Sequence, residues 1–91
     1  MKKNQALNIV LQSALNEKEE AKLVYTQYGT PKILTLKRNN DLFMAEISNM
    51  TSGHKEVYAV SANTETVVAY LSKRIIKTTI PTLMKQVDLC E

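Results

Sequence analysis

Residues 31–47 constrain the fold of this chain more than any other stretch. Two runs rich in β-formers, 32–38 and 41–48, leave Asn39 and Asn40 between them. Asparagine tolerates the left-handed backbone that a two-residue hairpin turn requires. With those two residues as the turn, Arg38 faces Asp41, Leu36 faces Phe43 and Leu34 faces Ala45. The period of two then sorts Leu34, Leu36, Phe43, Ala45 and Ile47 onto one face. Ile33, Thr35, Lys37, Leu42, Met44 and Glu46 fall on the other. Register alone yields one apolar face, and no active site.

The flanking segments extend the sheet. Residues 22–28 alternate and are rich in Leu, Val, Tyr and Thr, so they read as a strand. A type II′ turn at Gly29-Thr30 sets Tyr25 opposite Leu34 and Leu23 opposite Leu36, on the face already chosen. A third turn centred on Ser52-Gly53 sets Tyr58 opposite Ile47 and Val60 opposite Ala45, again on that face. The prediction is a meander of strands 22–28, 32–38, 41–48 and 55–60. Leu7, Val10, Leu11, Ala14 and Leu15 recur at helical spacing after Asn4, a fair N-cap, which predicts a helix over 4–16. Ser61 or Asn63 caps a second helix over 62–76, with Val67, Val68, Leu71 and Ile75 inward. Pro81 suits the first turn of a short last segment over 80–88, apolar through Ile80, Leu83, Met84 and Val87.

The expected fold is therefore α+β. It is one two-layer domain over 1–91, ordered α-β-β-β-β-α, with a four-stranded antiparallel meander. Two helices lie on one face, and a short helical segment follows at the C-terminus. Ninety-one residues suffice for one small core, and 44% hydrophobic content rules against wholesale disorder. The N-terminal apolar run is broken by Asn8, Gln12 and Ser13, unlike a signal peptide, and no run approaches the ~20 residues of a membrane span. A lone Cys90 excludes an internal disulfide and suits a cytoplasmic protein.

Catalytic signatures are missing from the sequence. Gly29 and Gly53, the two glycines, occupy turns rather than a phosphate loop. Cys90 and His54 fall in a terminus and a loop, which hold neither a nucleophile–base pair nor a structural metal site. Asp41 and Glu46 have no visible cause for a shifted pKa. The expectation is a non-enzyme without cofactor or metal.

Two surfaces remain. The net charge is +3, and its form is a basic stripe: Tyr70, Lys73, Arg74 and Lys77 share one side of the second helix, with Lys37 and Arg38 at the end of the central hairpin. Such a stripe can track a phosphate backbone, while basic residues in a last turn also complement a helix dipole. The second surface is the other sheet face, where Val24, Ile33, Leu42, Met44 and Val57 point away from the helices. An apolar strip there calls for a cover: the 80–88 segment, a second copy in a homodimer, or a partner protein.

The order helix, strands, helix is similar to that of the double-stranded-RNA-binding domain, with Tyr28-Gly29-Thr30-Pro31 echoing its first hairpin. The resemblance stops at the second helix, because that family's lysine-rich start has no counterpart in 61–67. No family is assigned. The sequence reads as a small cytoplasmic binding or regulatory module acting by protein–protein contact, of the accessory or inhibitor kind that phages and other mobile elements encode. A small basic nucleic-acid-binding protein is the alternative.

Overall fold

Leu7, Val10, Leu11 and Ala14 are all buried along helix α1, Lys3–Ala14, as their spacing requires. Its N-cap is Lys2 rather than Asn4, because the Gln5 side chain turns back to accept the Lys2 N–H at 3.1 Å. The computed structural model describes residues 2–90, and side chains as far as residue 87. Strands β1 (Glu20–Gln27), β2 (Thr30–Asn39), β3 (Leu42–Asn49) and β4 (Lys55–Ser61) follow as an antiparallel sheet in the order β1-β2-β3-β4. Helix α2 (Thr64–Ser72), a 3-10 turn (Lys77–Thr79) and helix α3 (Ile80–Cys90) complete an α+β chain. Cys90 closes α3, but its side chain lies outside the described residues.

The first two turns each sit one residue from their expected place. Tyr28 and Gly29 form the β1–β2 turn with φ of 53° and 76°, the two left-handed residues of a type I′ turn. Asn40 and Asp41 form the β2–β3 turn, with Asn40 at φ 56°. Leu23 therefore pairs with Leu34, Tyr25 with Lys32, and Leu34 with Ile47. Moving a two-residue turn by one residue changes each partner by two positions, which returns every side chain to its original face. Leu23, Tyr25, Leu34, Leu36, Ala45 and Ile47 accordingly share the core face and are buried. Phe43 is half-buried against them.

The third turn overturns an expectation. Asn49 Oδ1 accepts the N–H groups of Thr51 and Ser52 at 2.9 and 3.1 Å, and Gly53, at φ 74°, donates to the Asn49 carbonyl at 2.8 Å. Ile47 then pairs with Val57 but Ser48 with Lys55, so Glu56 is an extra residue in a β-bulge. One extra residue inverts the whole strand. Val57 and Ala59 point into the core, whereas Tyr58 and Val60 are 60% and 47% exposed. Val57 thus leaves the surface expected for it.

The end of the chain also differs. Helix α2 stops at Ser72 instead of residue 76, and α3 is an 11-residue helix rather than a short appendage. Asn63 caps α2 by accepting the Glu65 N–H at 2.8 Å. At the other end Lys3 Nζ donates to the Ser72 carbonyl at 2.6 Å, a cation on an orphan helix terminus. Gln27, buried at the end of β1, fixes the next turn. Its Nε2 donates to the Arg74 carbonyl at 2.7 Å, while its Oε1 accepts from Ile76 N–H at 3.1 Å and Thr79 Oγ1 at 3.0 Å. Ile80, Leu83 and Val87 of α3 join the same core cluster as α1, α2 and the buried sheet face. They do not cover the opposite face, so the self-covering segment is excluded.

Three stability outcomes follow from this packing. Leu34→Ala, at a fully buried position, is expected to cost about 2–5 kcal/mol in urea denaturation, and Tyr58→Ala to stay within about 0.5 kcal/mol. Gln27→Ala should cost at least about 2 kcal/mol, since it strands a buried hydroxyl and two backbone groups. A costly Tyr58→Ala would contradict the bulge.

Candidate functional site

The end of the sheet that carries the β1–β2 turn meets the end of α2 around a recess of about 480 Å³. Gln27, Tyr28, Lys32, His54, Glu56, Lys73, Arg74 and Ile76 line it. The sequence builds this corner locally. Lys32 continues the core-face row beyond Leu34, and the bulge brings Glu56 to it. Lys32 Nζ lies 2.6 Å from Glu56 Oε1, with the two side chains 13% and 19% exposed. The Lys32 hydrogen bond holds the Glu56 carboxyl below its ordinary range, with attraction from Arg74 and a hydrogen bond from Asn49 adding to it against the cost of burial. Next to this pair, Tyr25 is pushed up to about 12, mainly by burial and secondarily by the Glu56 charge. Its hydroxyl has no hydrogen-bond partner among the described residues.

The chemistry of the recess is that of a cationic corner. Lys32 is engaged by Glu56, which leaves Lys73 and Arg74 exposed at the rim. Lys73 Nζ sits 5.2 Å from the centroid of the Tyr70 ring, which holds the charge at the end of α2. A second hollow of about 250 Å³ adjoins it, between Glu56, Val57 and Tyr58 of β4 and Tyr70, Lys73 and Arg74. A carboxylate or phosphate fits such a corner. Glu56, fixed as an anion, is a poor proton donor at neutral pH.

The predicted basic stripe is divided. Helix α2 ends before Lys73, so helical spacing no longer aligns Tyr70, Lys73 and Arg74 with Lys77. Lys77 instead opens the 3-10 turn and lines a separate hollow with Lys3, Ile80 and Met84. Lys37 pairs with Glu20 at 3.6 Å, and Arg38 lies beside it near the opposite end of the sheet. Six residues of strand, roughly 20 Å, separate Arg38 from Lys32.

The open sheet face is also divided. Val24 pairs with Ile33, and Ser48 lies beyond them. The next row is Lys22, Thr35, Glu46 and Tyr58, and Glu46 is bound to Lys55 at 3.1 Å. Val24 and Ile33 are thus one apolar corner at the β1 edge, and Val57 is buried behind the sheet. At the β4 edge a second corner forms, where Met44 pairs with Val60. Leu42 and Tyr58, each two residues along its strand, flank that pair. Leu42 and Tyr58 are exposed and Met44 half-buried. Sequence reasoning missed Tyr58, Val60, Lys32 and Glu56. An alternating Val-Tyr-Ala-Val run carries apolar residues on both parities and gives no sign of which faces out.

Among the described residues no three His, Cys, Asp or Glu side chains gather to hold a metal, and no helix is long and apolar enough to cross a membrane. No protein-family model, curated protein or solved structure matches the chain. Function therefore rests on the geometry.

The Lys32–Glu56 pair makes a pH prediction. A carboxyl held below its ordinary value of 4.5 contributes stability that is complete above that value and is lost as pH falls toward and through the folded-state pKa. Glu56→Gln should therefore flatten the acid limb of a stability–pH curve below about 4.5, as well as lowering stability at neutral pH. An unchanged acid limb would show the pair to be energetically silent.

Proposed function

We propose that the protein is a non-enzymatic binding module that docks a partner protein at the β3–β4 corner of its sheet. The helices form a layer behind the core face, and the partner approaches from the open face and the β4 edge. The observation that carries this reading is the contiguous set Leu42, Met44, Tyr58 and Val60, which adjoins the cationic corner of Lys73 and Arg74 at its Tyr58 end. Single exposed apolar residues are ordinary on a protein surface, whereas a contiguous group at a strand edge is a contact site. Of the residues expected at the partner surface, Leu42 and Met44 belong to this corner, Val24 and Ile33 are remote from it, and Val57 is inside. Met44 suits such a surface because its flexible thioether adapts to the partner's shape.

The nucleic-acid reading keeps Tyr70, Lys73 and Arg74 but loses the support of Lys37, Arg38 and Lys77, which lie elsewhere. A few phosphate contacts at one corner give weak, strongly salt-dependent binding.

The test is capture from a lysate of the native host, with and without nuclease. Wild-type protein should retain a partner protein after nuclease treatment, and Met44→Lys should lose it while melting at an unchanged temperature. Retention of nucleic acid alone, abolished by Lys73→Ala with Arg74→Ala, would replace this reading with the alternative.

A further inference from the structure

The two edges of the sheet are finished differently. In an antiparallel ladder, residues alternate between pointing their N–H and C=O at one neighbour and at the other. Gln27 and Thr30 flank a two-residue turn and form a bonded pair, so Lys22, Val24 and Thr26 direct their backbone groups away from β2, out of the β1 edge. Helix α3 lies along that edge, and its Gln86 acts as a short substitute strand. The Val24 N–H donates to Gln86 Oε1 at 2.8 Å, and Gln86 Nε2 donates to the Val24 carbonyl. The same alternation carried from the Asn39–Leu42 pair makes Ala45–Ala59 and Ile47–Val57 the bonded pairs of β3 and β4. The N–H and C=O of Tyr58 and of Val60 therefore point out of the β4 edge. Among the described residues none bonds to them, and both side chains are exposed.

We propose that β4 takes up an extended segment of a partner protein as a fifth antiparallel strand, apolar where it lies beside Tyr58 and Val60 and acidic where it meets the Lys73–Arg74 corner. This rests on the protein-binding reading above and names the partner's chemistry. Residues of the added strand opposite Tyr58 and Val60 point to the open face and extend the apolar corner of Leu42 and Met44. Residues opposite Val57 and Ala59 point to the core face, where the hollow between Glu56, Tyr58, Tyr70, Lys73 and Arg74 receives a carboxylate on the two rim cations, the Glu56 charge being met by Lys32. The Glu56 bulge interrupts the strand and ends the docking track there. A second copy of the chain is the poorer occupant. Antiparallel pairing of β4 with itself about Ala59 would bring two Lys73–Arg74 corners within a few residues of each other, like charge against like.

The probe is a fluorescein-labelled peptide, Thr-Glu-Val-Glu-Val-Glu-Thr, read by fluorescence anisotropy at low salt. Saturable binding that weakens with added salt is expected, and the counterpart with Lys in place of Glu should not bind. Val60→Pro removes the outward N–H at an edge position that tolerates proline, and should weaken binding about tenfold or more. The same peptide N-methylated at both valines, used against wild-type protein, should lose affinity likewise and needs no folded variant. Lys73→Glu with Arg74→Glu should abolish binding. Absence of saturation up to ~1 mM peptide, or affinity indifferent to N-methylation, overturns the proposal. So does concentration-dependent dimerisation in sedimentation that Val60→Pro abolishes. A partner retained from lysate in a Met44-dependent but Val60→Pro-insensitive way would leave the binding module standing and remove the fifth strand.

Discussion

The Gln27 side chain is the joint on which the second half of the molecule turns. A primary amide can donate and accept together, and Gln27 uses both capacities in a buried setting where an unmet polar group would be costly. It takes the Arg74 carbonyl and the Ile76 N–H, groups that a longer helix would have bonded internally, and so offsets the loss of another turn of α2. The chain leaves the helix early and enters α3 through Thr79. Two consequences lie far apart. Lys73 and Arg74 are left at a free helix end beside β4, and α3 is directed back along β1, where Gln86 caps the opposite edge.

The layout of the sheet was legible because its evidence is redundant. Each hairpin offers several apolar pairs, and an error of one residue in a two-residue turn leaves the faces intact, as Leu23, Leu34 and Ile47 show. The β3–β4 connection lacks that protection. Its loop is held by the Asn49 side chain and by a left-handed Gly53, and the bulge inserts Glu56, so the count between strands is odd. Val57, Tyr58, Ala59 and Val60 satisfy either face by hydrophobicity alone. Size decides instead: the small Ala59 fits opposite Ala45 beneath the helices, and Tyr58 goes to water.

The site was less legible than the fold, for a related reason. Periodicity in a helix predicts a stripe only as far as the helix runs, and Tyr70, Lys73, Arg74 and Lys77 span its end. What stops α2 is a glutamine more than forty residues earlier in the chain, which no local pattern around residue 73 records. The Lys32–Glu56 contact is equally non-local, joining a strand position to a bulge. By contrast Leu42 and Met44 were assigned to the open face from the turn before them, where the sequence signal is strong. Their neighbours there were misassigned because those come from β4.

An uncapped edge beside an apolar corner is a hazard that soluble sheets normally suppress. This chain suppresses it on one side and limits it on the other. The β1 edge carries the exposed Lys22 and the Gln86 amide, two devices on one strand. The β4 edge is short, begins with Lys55 and is broken by a bulge after one residue, which leaves a track too brief for an extended aggregate to grow along. Within that track the residues are Tyr58 and Val60, strong β-formers, rather than the charges or proline that would close it. Burial of their side chains in the monomer is excluded by the odd count of the bulge, so their choice is not explained by the chain's own core. On the fifth-strand proposal, the cationic corner would add direction to an otherwise non-selective edge: a like-charged edge would be turned away, and a segment bearing a carboxylate at the right parity would be held in register. Restricted length, apolar parity and one fixed charge pattern would together, on that proposal, convert an aggregation-prone feature into a selective one.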